Sequence, residues 1–68
     1  MNADELNTWN LRAVQLMDRM GGGFASALAV AYYRADSDNR ARILAAWPDL
    51  FEKYRRIARE MHADQVDA

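Results

Sequence analysis

A chain of 68 residues and 7.8 kDa, with no cysteine, one proline and three glycines, is a single small domain, and nine Lys and Arg against ten Asp and Glu leave it a formal charge of −1. Below about 70–80 residues one core supplies little stability, and small domains compensate with disulfides, a structural metal, regular helix packing or a second subunit. The absence of cysteine excludes disulfides and thiolate zinc sites, which leaves regular helices and self-association.

The start, Met1-Asn2-Ala3-Asp4-Glu5, is acidic and lacks the basic and apolar regions of a signal peptide. The longest apolar run, Phe24 to Tyr33, spans ten residues and is interrupted by Ser26. A bilayer span needs about 20. A hydrophobic content of 51% is too high for a disordered chain. The expectation is a folded cytoplasmic domain with no membrane segment.

Many alanines and few β-branched residues favour helix, and no stretch alternates with period two for long enough to read as a strand. The first helix is predicted over 3–20. Asn2 is its N-cap, and Glu5 three residues on completes a capping-box pattern. Leu6, Trp9, Ala13, Leu16 and Met20 recur at helical spacing as its apolar stripe, widened on one side by Val14 and Met17. Gly21-Gly22-Gly23 ends it, because glycine readily takes the left-handed conformation.

The second helix is predicted over 24–35. Before Arg34 its only polar residue is Ser26. A helix that is apolar all round is normally buried on every side, so this one is expected at the centre of the fold or of a dimer. Asp36-Ser37-Asp38-Asn39 is a break and restart, with Asp36 or Ser37 as N-cap. A short third helix follows over 38–46, and Pro48 ends it and opens the next.

The fourth helix is predicted over 48–62, with Leu50, Tyr54, Ile57 and Met61 as its stripe and Phe51 and Ala58 beside it. Asp49 and Glu52 near its start and Arg55, Arg56 and Arg59 toward its end complement the helix dipole. Residues 63–68 are predicted as a frayed tail.

Sites of catalysis are hard to find. The glycine run approximates a dinucleotide motif, but a helix precedes it where a strand is needed. Asp36-Ser37-Asp38 opens like a calcium loop and then fails, with Arg40, Ala41 and Trp47 in place of a ligand, the glycine and the bidentate glutamate. His62 is the only histidine, which supplies neither a tetrahedral metal site nor a catalytic dyad. No catalytic, cofactor-binding or metal-binding residue is assigned.

Charge is more informative. Residues 40–59 carry six basic groups (Arg40, Arg42, Lys53, Arg55, Arg56 and Arg59) against two acidic ones (Asp49 and Glu52). Such a face, interleaved with Trp47 and Tyr54, has the composition of a nucleic-acid contact. Against that, the junction Trp47-Pro48-Asp49 is not the glycine-containing turn common in helix-turn-helix units, and the chain as a whole is not basic. Exposed aromatics beside arginine also make protein-binding hot spots. Tyr33, Trp47, Arg55, Arg56 and Arg59 are the candidate partner-binding residues.

The segment Met17 to Tyr54 resembles a group of small accessory proteins encoded by tailed bacteriophages and prophages. The resemblance lies in Gly21-Gly22-x-Phe24, Ala27-Leu28-Ala29, Ala35-Asp36, Asn39, Leu44 and Ala46-Trp47-Pro48 with Phe51 and Tyr54. It implies a phage gene product acting in a bacterial cytoplasm. No activity attaches to the group, so it contributes no functional residue.

Together these readings predict an all-α domain of three or four helices, with the long first and last helices around the second, assembled as a homodimer. The expected function is non-enzymatic: binding and modulating or inhibiting a host bacterial protein. Nucleic-acid binding through the face 40–59, or self-association as a virion or assembly component, are the alternatives.

Overall fold

A computed structural model describes the backbone of residues 2–67 and the side chains of residues 2–63. Four helices follow one another: α1 (Ala3–Met20), α2 (Gly22–Arg34), α3 (Ser37–Ala46) and α4 (Pro48–Asp67). No strand occurs among the described residues.

Local chemistry accounts for the boundaries. Asn2 Oδ1 accepts from the Glu5 backbone N–H at 2.8 Å, and the Asn2 amide donates to the Glu5 carboxylate at 3.4 Å. The box therefore closes through the two side chains. At the far end the Gly21 N–H donates to the Met17 carbonyl at 3.1 Å, and Gly22 takes φ 78°, the left-handed turn that sends the chain back along α1. α2 is bounded at Gly22, two residues before its predicted start, and Gly23 lies within it. Asp36 Oδ1 accepts from the Asn39 N–H at 2.9 Å and caps α3. Trp47 leaves the helix at φ −131°, ψ 60°, as the residue before a proline must when the α region is closed to it.

The predicted end of α4 at 62 is a correction. α4 continues through Asp67, because no glycine or proline stands in 63–67 to stop it. Ala68 lies outside the described residues.

The larger correction concerns the centre. The central element is α1, which packs against both α2 and α4. The backbones of α2 and α4 stay more than 8 Å apart and meet only through side chains, with Tyr32 and Phe51 rings tilted at 43° and 5.8 Å between centroids. Contact on two sides widens and rotates the buried face of α1 to Asn10, Ala13, Val14, Leu16 and Met17. Leu6 and Met20, on the predicted stripe, are exposed. On α4 the buried set is likewise shifted, to Phe51, Tyr54 and Ala58, while Met61 is exposed.

The alanine-rich α2 buries only Ala25, Leu28, Ala29 and Tyr32. The molecule measures 36 × 29 × 19 Å. Among the described residues Phe24, Ala27, Val30 and Ala31, on the side of α2 away from α1, are exposed.

Candidate functional site

The uncovered side of α2 and the adjoining side of α3 form an apolar groove of about 520 Å³. Ala31 of α2, Ala35 at its C-cap, and Ile43 and Ala46 of α3 line it with small or branched apolar side chains, and Trp47 closes one end. Phe24, one helical face with Ala31, extends that wall: its ring meets the Trp47 indole edge-on at 5.7 Å. Phe24 is 60% exposed and Trp47 41%. Exposure of two large rings at the mouth of one groove is unusual on a monomeric surface, where contiguous apolar patches mark interaction sites.

Arg34, Asn39 and Arg42 complete the lining. Among the described residues the one ion pair within reach is Glu52 with Arg56 at 3.9 Å, so neither Arg34 nor Arg42 is paired with a carboxylate. The groove thus joins an apolar floor to a cationic rim.

The five residues singled out from the sequence do not form one surface. Trp47 belongs to the groove. Tyr33, 41% exposed, is nine residues from Phe24, about half a turn around α2. It lies on the α1 side, where partial burial and then the Asp18 carboxylate raise its phenol above the ordinary value of 10.0. Arg56 is an exposed side chain over Glu52, one turn earlier on α4. Arg59 lies over the Trp9 ring at 5.7 Å.

Arg55 is a structural residue. Its Nη1 donates at 2.8 Å to Oδ1 of Asn10, the buried polar side chain at the α1–α4 contact. Arg55→Ala strands that amide oxygen, and a lost charge-assisted bond to a buried acceptor costs about 1–3 kcal/mol. Arg56→Ala, at an exposed pair, should change stability by no more than about 0.5 kcal/mol. Urea unfolding of the two variants side by side checks this; equal midpoints would contradict the structural role.

Arg40 is a second arginine with internal work. Its Nε donates to the Tyr32 carbonyl at 3.0 Å and its Nη2 to the Tyr33 carbonyl at 3.4 Å, satisfying the end of α2 from α3. The same guanidinium lies 4.9 Å from the Tyr32 ring centroid. Burial raises the Tyr32 phenol above 10.0, and the Arg40 charge opposes that rise. Of the six basic groups in 40–59, Arg40 and Arg55 are therefore spent on the fold.

Sequence reasoning missed the groove for a definite reason. The apolar surplus of α2 was legible, but was assigned to burial on every side. Two signals did point outward: Phe24, Ala27 and Ala31 share a helical face, and Trp47 sits at a junction. Among the described residues no three His, Asp or Glu gather where a metal ion would be held, and no helix is long and apolar enough to cross a membrane. No protein-family model, curated protein or solved structure matches the chain.

Proposed function

We propose that the chain is a non-enzymatic protein-binding module that takes an amphipathic helix of its partner into the α2–α3 groove. The single observation that carries this is the pair of exposed rings, Phe24 and Trp47, at the end of an apolar groove rimmed by Arg34 and Arg42. Helix-in-groove recognition needs this arrangement, with apolar anchors at i, i+3, i+4 and i+7 seated in the groove. Alanines on the groove floor let the partner backbone come close, and the two arginines call for acidic residues flanking its apolar stripe. The resemblance to phage accessory proteins supports a host bacterial protein as the partner and modulation or inhibition as the outcome.

A homodimer is the competing occupant, because a second copy would also cover the outer face of α2. Nucleic acid has less support, since Arg40 and Arg55 are engaged within the fold.

The test uses tagged protein in nuclease-treated bacterial lysate, identification of what is retained, and titration of the purified pair. Phe24→Asp should weaken binding by about 30-fold or more, the loss expected for an interface anchor worth 2 kcal/mol. Arg56→Ala should leave it unchanged. Retention that Phe24→Asp does not affect would overturn the groove assignment. A parent chain that weighs as a dimer, with Phe24→Asp a monomer, would give the face to self-association instead.

A further inference from the structure

A charged cluster on the α1–α4 side shares no residue with the groove. Arg12, Gln15 and Arg19 follow one another at i, i+3 and i+7 and so occupy one face of α1. With His62 of α4 they line a pocket of about 170 Å³ whose apolar part is Leu16, Ala58 and Met61. Among the described residues no Asp or Glu lines it. Among the described residues neither Arg12 nor Arg19 is ion-paired.

Two of the donors, Arg12 and His62, are held in place. The Arg12 guanidinium lies 4.8 Å from the Trp9 ring centroid, and the same ring meets the His62 imidazole edge-on at 5.7 Å. Arg12 Nη1 is 3.3 Å from His62 Nδ1. A guanidinium can only donate, so Nδ1 accepts and the ring proton is on Nε2. Among the described residues two arginines and an imidazole line this pocket without a carboxylate, in a chain whose net charge is −1.

We propose that this pocket binds a small tetrahedral oxyanion of the phosphate class, free or as a monoester. Planar guanidinium forks match its oxygens two at a time. The volume limits what is enclosed: pockets for drug-sized molecules and cofactors run to about 300–1,000 Å³, and this one, at about 170 Å³, encloses the phosphate group and leaves the rest of a monoester outside. A nucleic-acid backbone would need further phosphate contacts spread along a surface, whereas these donors line one small pocket.

The experiment is a titration of the full chain with inorganic phosphate at constant ionic strength, followed by NMR of the arginine Nε–H and histidine ring signals. Saturable shifts at Arg12, Arg19 and His62 are expected. Arg12→Gln and Arg19→Gln should each weaken affinity by about tenfold, with backbone spectra unchanged because both side chains are exposed. Arg34→Gln should not alter it. Equal shifts with chloride, or parental affinity in both variants, would overturn the site.

Two further arms identify the source and the role of His62. Short duplex DNA that binds more tightly than phosphate and shifts Arg42, Lys53 and Arg56 would overturn the small-anion assignment. His62→Phe keeps a ring against Trp9 and removes both ring nitrogens, so it should bind phosphate about tenfold more weakly than the parent chain. Equal affinities would remove His62 from the site.

Discussion

Phe51→Ala should leave the chain largely unfolded at 25 °C, read as loss of helical circular dichroism and of a cooperative urea transition. Phe51 is fully buried, and its ring against Tyr32 fills the wedge where the α2 and α4 backbones do not touch. Truncating a buried phenylalanine costs about 3–5 kcal/mol, part lost transfer energy and part cavity. At about 0.05–0.15 kcal/mol per residue, a domain of this length has only about 3–10 kcal/mol to lose. The wedge cannot collapse cheaply, because α1 stands between the two helices and holds them apart. Phe51→Leu keeps most of the volume and should recover most of the transition. Leu50→Ala, one residue away and only partly buried, should cost clearly less. Equal losses at 50 and 51 would mean that α4 does not present Phe51 to the core.

The second large effect belongs to Gly21→Ala, and its neighbours supply the controls. A Cβ at position 21 would stand 2.5 Å from the Ala25 Cβ, 2.6 Å from the Met17 carbonyl oxygen and 3.1 Å from the Tyr54 hydroxyl. Two of those atoms cannot swing aside, since one is backbone and the other is fixed to it. Such overpacking costs about 1–3 kcal/mol, and in a domain of this size each kcal/mol lowers Tm by about 4–8 °C. At Gly22 there is open space, but φ is +78°, so Gly22→Ala should destabilise by strain alone, and by less. At Gly23 there is also open space and an ordinary helical backbone. There alanine should stabilise by up to about 1 kcal/mol through helix propensity. Three adjacent glycines thus predict three thermal shifts, large negative, smaller negative and positive. A uniform response along the run would show that the turn is only a flexible joint.

What could be read from the chain was whatever depends on near neighbours. The Asn2 cap, the Asp36 cap and the Pro48 restart are interactions within three or four residues, and all fall where their residue types place them. The end of α4 was misread because a short acidic tail looks frayed, while nothing in it breaks a helix. The sites were less legible. Arg55 reads as a surface cation until Asn10, 45 residues away, is found beside it. Arg40 looks the same until the carbonyls of Tyr32 and Tyr33 are seen within its reach. His62 was dismissed as a lone histidine because its partners, Trp9 and Arg12, belong to the opposite end of the chain.

The sequence by itself determined the helical class, the order of four helices and the chemistry of their caps, because backbone hydrogen bonds and capping side chains act over one turn. Tertiary structure alone decided which helix is central. Apolar patterning says how much surface a helix must hide, and not from which side another helix arrives. With α1 taking partners on two sides, its buried face turned toward Val14 and Met17, and α2 was left with one side covered. The surplus apolar surface of α2 then became the groove at Phe24 and Trp47 instead of core.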